Sequence, residues 1–173
     1  MFSSKIRWLL VFIFVITAII APFTDMGIWV ALVFLLTATI LVLSHFKFGT
    51  VLKARAALGQ ANVDKAEELL NEIKRPEWLS KRYQAYYHFV RSLIASFRQD
   101  ADVAAEHSNK ALAYQNLRTE EIGILRYNLA RAAYEKRDYP NAKKELKLLR
   151  ELKVEDLHLK KRVEELEHAL VQK

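Results

Sequence analysis

Two apolar runs, Ile6 to Phe23 and Met26 to Leu43, each 18 residues long, are separated only by Thr24 and Asp25. Arg7 and Thr17 interrupt the first run, and Thr37 and Thr39 the second. At a rise of about 1.5 Å per residue, each run reaches roughly 27 Å, close to the ~30 Å of a bilayer core. A backbone in lipid must satisfy its own hydrogen bonds, so the runs read as helices. Pro22 before the junction and Gly27 after it mark a sharp reversal. The expectation is a transmembrane helical hairpin in residues 1–46, with helices at about 6–23 and 26–43.

Lys5 and Arg7 precede the first run, Lys47, Lys53 and Arg55 follow the second, and the junction carries only Asp25. Positive flanks are retained inside, so both termini are expected in the cytoplasm. Trp8, Phe23, Trp29 and Phe46 fall near the water interfaces, where aromatic rings anchor helices. A cleaved leader is disfavoured, because Ile19 stands where a small residue would be needed before Ala21, and Pro22 would follow the cut.

The rest of the chain addresses a different solvent. Of 173 residues, 27 are Lys or Arg and 20 are Asp or Glu, and nearly all lie beyond residue 43. Cysteine is absent, which excludes disulfides and thiolate chemistry and limits any zinc site to His and carboxylate. Four Gly and three Pro are too few for a turn-rich sheet, so helices are expected again.

Residues 47–153 repeat. Ala66, Ala104 and Ala142 are spaced by 38 residues, and the same offset relates Ala54, Ser92 and Ala130, then Ala57, Ala95 and Ala133, then Asn62, Asp100 and Asp138, and finally Ile73, Ala111 and Leu149. Small residues recurring on paired helices permit close packing, and polar residues recur where the chain turns. Helices are expected at 49–60 and 64–74, 79–98 and 101–116, and 119–137 and 140–153. A last helix at 155–172, with Leu159, Val163, Leu166 and Leu170 in one stripe, is expected to cap the stack.

These residues resemble the tetratricopeptide repeat family. In the third unit, Asn128-Leu129-Ala130, Ala133-Tyr134, Arg137-Asp138-Tyr139, Ala142 and Leu146 fall at that motif's small and aromatic positions. The second unit departs, with Ser108 where a bulky residue is usual and Ala101 where an aromatic one is, and the period exceeds the family's 34 residues. The resemblance implies an all-α chain: two transmembrane helices, then a TPR-like α-α superhelix of about three helix pairs in residues 47–173, plus the capping helix. The layout is also similar to that of the HemY family of bacterial inner-membrane proteins, which implies a bacterial inner membrane; no role is carried over.

Catalytic and metal patterns fail on geometry. Glu155-x-x-His158 and Glu165-x-x-His168 look like paired metal ligands, but both lie on one expected helix, ten residues apart and about 15 Å along its axis. His107 beside Glu106 is expected at the surface and His45 at the membrane interface. No HExxH, phosphate loop or GxSxG elbow occurs. No enzyme activity, cofactor or metal is expected. Lys47, Lys53 and Arg55, which follow the second run, suit anionic lipid headgroups. The later basic residues alternate with Glu145, Glu151, Glu164 and Glu165, a pattern of solvated faces, so no nucleic-acid partner is expected.

What remains is a surface for proteins. By the resemblance, the first helices of each pair line a concave groove occupied by Arg55, Phe89, Leu93, Tyr127, Arg131 and Tyr134, residue types common among binding anchors. Core packing between repeats is the other reading of Phe89 and Leu93. Val51, Val90 and Ile124 occupy three places where some relatives carry a carboxylate clamp, so that clamp is not expected although Asn128 matches. The expected function is a membrane-anchored scaffold or adaptor that binds an unknown protein at the cytoplasmic face. The other expectation is an assembly subunit that self-associates or joins a larger complex through its hairpin, with Thr37, Ala38 and Thr39 small enough for close helix approach.

Overall fold

A computed structural model describes residues 4–21, 27–48 and 50–172. All regular structure among them is helical. The chain divides into two compact units, Met1–Gly49 and Thr50–Lys173. The expected reversal at Thr24 and Asp25, with Pro22 and Phe23, lies outside the described residues, as do the side chains of Lys5, Arg7, Trp8, His45, Phe46 and Lys47.

The first unit is two helices packed on each other, α1 (Ser4–Ile20) and α2 (Gly27–Phe48). Neither contains an internal Gly or Pro, so nothing interrupts its backbone ladder. Small side chains mark the buried seam, Ala21, Ala31 and Ala38, and Phe14 meets Phe34 with ring centroids 5.7 Å apart. The expected spans at 6–23 and 26–43 need correction here: among the described residues no helix is long and apolar enough to cross a membrane. α1 stops after 17 residues. In α2 the apolar stretch ends at Leu43, ahead of Ser44, His45 and Lys47.

The second unit contains α3 (Val51–Gly59), α4 (Val63–Asn71), a 3-10 turn (Pro76–Trp78), α5 (Lys81–Phe97), α6 (Ala101–Leu112), α7 (Thr119–Glu135), α8 (Tyr139–Glu151) and α9 (Leu157–Val171). Helices pair as α3/α4, α5/α6 and α7/α8. The backbone itself repeats. Ala61, Gln99 and Arg137 adopt φ of 57°, 61° and 61°, and Gln115 and Lys153 adopt 49° and 50°. At the first three, the next residue's amide reaches back five positions, from Asn62, Asp100 and Asp138 to the carbonyls of Ala57, Ala95 and Ala133 at 3.0, 2.9 and 2.8 Å. That is a Schellman closure made without glycine, in which two backbone bonds per turn offset the cost of the left-handed residue. The same Asn62, Asp100 and Asp138 then accept the amides of Lys65, Val103 and Asn141 at 3.0, 3.1 and 3.2 Å, ending one helix and starting the next.

Packing follows the same spacing. Ala66, Ala104 and Ala142 are buried, as are Ala54, Ser92 and Ala130, which allows the paired axes to approach closely. One core runs from Val51 in α3 through Tyr86, Phe89 and Val90 to Leu125 in α7; a second joins α7, α8 and α9. α9 buries Leu159, Val163, Leu166 and Leu170, the stripe read in the sequence. Ala85, Tyr86, Phe89 and Ser92, buried in α5, correspond two repeats later to Lys161, Arg162, Glu165 and His168, all exposed. α9 thus has one packing face, because a polar row replaces the second.

Candidate partner-binding groove

The six groove residues expected from the sequence have distinct environments. Phe89 is 3% exposed and belongs to the first core; Tyr127, at 8%, belongs to the second. Arg55 lies over the rings of Tyr86 and Phe89, 5.2 and 5.9 Å from their centroids, and its guanidinium meets the Glu121 carboxylate at 2.6 Å. Arg131 pairs with Glu135 at 2.8 Å, and Tyr134 packs against the second core with its ring 5.9 Å from Tyr139. Leu93 is half-buried and lines a cavity.

Glu121 organises one side of this face. It sits at the third position of α7, 2% exposed, where a carboxylate can reach back to the helix start. It accepts from the Arg118 amide at 2.9 Å and from the Arg118 guanidinium at 3.1 and 3.2 Å, besides Arg55. A buried charge is tolerable only with such partners. Glu121 therefore fixes the first turn of α7 and ties it to α3.

A polar ladder crosses α5, α6 and α7. Ser96 donates to Asn128 Oδ1 at 2.8 Å, and Asn128 Nδ2 donates to Ser92 Oγ at 2.9 Å. Ser92 and Ser108 share a bond of 2.8 Å, and both hydroxyls lie within 3.1 Å of the Ala104 carbonyl. Ser108 faces Ser92, so that two small hydroxyls fill the space and satisfy each other. Asn128, which matched the family's groove pattern, is buried and committed to this ladder.

Above Asn128 lies a cavity of about 170 Å³. Leu93 and Phe97 of α5 and Ile124 of α7 form its apolar wall, while Asp156, His158, Leu159 and Arg162 close it from the start of α9. Gly123 permits that closure, since a Cβ there would stand 2.8 Å from Val154 Cγ2 and 3.2 Å from Leu159 Cδ2. Asp156 Oδ1 accepts the amides of His158 and Leu159 at 2.8 and 3.0 Å, capping α9. Arg162 lies over Tyr127, 4.4 Å from the ring centroid.

No family model, curated protein or solved structure matches this chain. Phe97, Asp156, His158 and Arg162 were not among the groove residues expected from the sequence, yet a signal existed: one repeat beyond Ile124 lands on Arg162.

The histidines differ from expectation too. His107 is half-buried rather than a surface residue, because its Nδ1 lies 3.0 Å from Nδ1 of His88 across α5 and α6. Burial pushes the His88 pKa down to about 4, helped by His107 and Lys110 and opposed by Glu106; burial also lowers that of His107. His45 falls outside the described side chains. Among the described residues no group of three or more His, Cys, Asp or Glu could hold a metal ion. His158 and His168 face different surroundings on α9, the cavity mouth and the Gln172 amide.

Proposed function

We propose that the chain is a membrane-anchored scaffold of TPR-like helix pairs, which binds a partner protein through the face formed by α5, α7 and the start of α9. The observation that carries the binding part is the cavity of Leu93, Phe97 and Ile124, walled by apolar side chains and rimmed by Arg162 and His158. Phe97 is 60% exposed, an aromatic residue at the mouth of a concavity, where partner proteins commonly anchor. The 38-residue period in turns, caps and small residues supports the repeat reading.

Burial of the hairpin in lipid is supported by its outward side chains. Leu9, Phe12, Ile19, Ile28, Trp29, Leu36 and Ile40 are all exposed, a surface that water disfavours. Its threonines return their hydroxyls to their own helices, Thr17 to Ile13, Thr37 to Val33 and Thr39 to Leu35, at 2.9, 2.8 and 2.9 Å. That leaves none of these three hydroxyl protons needing water. The short α1 is compatible with a locally thinned bilayer, a cost of only fractions of a kcal/mol per Å. Ala38, offered as a self-association point, is 3% exposed inside the hairpin, so the assembly reading loses that support. The flanking charges favour cytoplasmic termini and the layout a bacterial inner membrane.

Two measurements test this. The full chain should sediment with membranes at high speed and be released by detergent; a product left in the supernatant would end the anchor reading. Affinity capture in mild detergent should recover a specific partner from the parent chain and lose it with Phe97→Asp plus Arg131→Glu; undiminished recovery would remove the groove.

A further inference from the structure

The cavity above Asn128 has a size and a charge that narrow its occupant. Its 170 Å³ is below the roughly 300–1,000 Å³ of sites that enclose drug-sized ligands, but it accommodates one apolar side chain. Leu93, Phe97 and Ile124 supply the contacts such a side chain needs. The polar groups at its base are already committed, Ser96 to Asn128 and Asn128 to Ser92, so they leave little for a polar group to gain.

The charge resides at the rim. Arg55 is held by Glu121 and Arg131 by Glu135, but Arg162 has no carboxylate within ion-pair distance among the described residues. Its guanidinium is instead held against the Tyr127 ring at 4.4 Å, which orients it without neutralising it. The acidic residue in the rim, Asp156, has one oxygen engaged by two amides at the start of α9. A cation pre-positioned on an aromatic ring, beside a one-residue apolar cavity, is complementary to a carboxylate placed close to an apolar side chain. Arg can take such a carboxylate in bidentate fashion, which Lys cannot.

Resting on the scaffold reading, we propose that this site recognises an internal acidic–hydrophobic segment of the partner protein: one Leu- or Phe-sized side chain enters the cavity, and a neighbouring Asp or Glu pairs with Arg162. Arg162 is the selecting residue. Leu93 and Phe97 supply affinity with little preference for sequence.

The test uses the full chain in detergent against a library of end-blocked peptides with randomised positions, alongside a matched library ending in free carboxylates. The expected result is enrichment of blocked peptides that carry a large apolar residue with Asp or Glu within three positions. Binding of the best of these should weaken about tenfold with Arg162→Glu, and less with Arg162→Lys. The charge-reversed chain should enrich Lys or Arg in place of the acidic residue. Enrichment of neutral or basic peptides by the parent chain, or the same peptides from Arg162→Glu, would overturn the proposal. Binding confined to free C-termini would replace it with terminal recognition, and a library with no enrichment would also sink it. The partner-capture experiment stands apart: a partner still lost with Phe97→Asp plus Arg131→Glu, while the peptide result fails, would leave the scaffold reading intact and remove only this specificity.

Discussion

The hairpin and the helix-pair unit are built from the same secondary structure and dispose of apolar side chains in opposite ways. In the hairpin, Leu9, Phe12, Leu36 and Ile40 point outward, and alanines fill the seam. In the paired helices, Leu70, Leu125 and Val90 are fully buried, and the charged residues other than Glu121 are at least partly exposed. Hydrophobic stabilisation comes from removing apolar surface from water, so the hairpin as it stands gains little from its own packing. The comparison shows that a helix acquires its stability from where its apolar faces end up, and the two units need different surroundings to gain it.

The largest expected effect distinguishes inward from outward residues directly. Leu125→Ala, in the centre of α7, should cost about 2–5 kcal/mol of stability, read as a lowered urea midpoint of the detergent-solubilised chain. Phe12→Ala removes a larger side chain from an exposed site, 66% accessible, and should leave that midpoint in place. Equal losses from the two would break the comparison.

A second exchange uses charge. Leu36→Arg in the hairpin should reduce membrane insertion by roughly 2.5–3.5 kcal/mol on translocon scales, measured as the inserted fraction of the full chain. The same change at Leu157, 78% exposed at the start of α9, should shift stability by less than about 0.5 kcal/mol. If Leu36→Arg inserted normally, the hairpin's outward surface would not be facing lipid.

The smallest effect sharpens the account of the helix-pair unit. His88 has a pKa of about 4 in the folded chain against an ordinary value of 6.5, so the unfolded chain takes up the proton first. Stability is therefore full above pH 6.5 and is lost as pH falls toward 4. Because the ring is only partly buried, the loss between pH 7 and 5.5 should be about 1 kcal/mol or less, above the range where most carboxylates titrate. His88→Phe should flatten that slope in the urea midpoint; an unchanged slope would place the titration elsewhere.

Much of the helix-pair unit was legible before the structure. The turns at Asn62, Asp100 and Asp138 could be read because each side chain caps a helix three residues away, an interaction written in local sequence. The stripe Leu159, Val163, Leu166 and Leu170 could be read because helical periodicity places those residues on one face. The groove was only partly legible. Phe89 and Tyr127 carry the right chemistry for anchors, but burial depends on which helix covers them, and Arg162 covering Tyr127 comes from outside the three matched units. Glu121 and the His88–His107 pair escaped notice because their partners lie on helices distant in sequence.

By itself the sequence determined the lengths of the apolar runs, the 38-residue spacing and the capping of α4, α6 and α8 by Asn62, Asp100 and Asp138, since these depend on hydrogen bonds and periodicities within a few residues. Only the tertiary structure decided which aromatic residues are core and which stand at a cavity, how Gly123 lets the start of α9 close that cavity, and why Arg162 is left without a carboxylate. Exposure and pairing are properties of neighbours in space, and those neighbours are set when the helices pack.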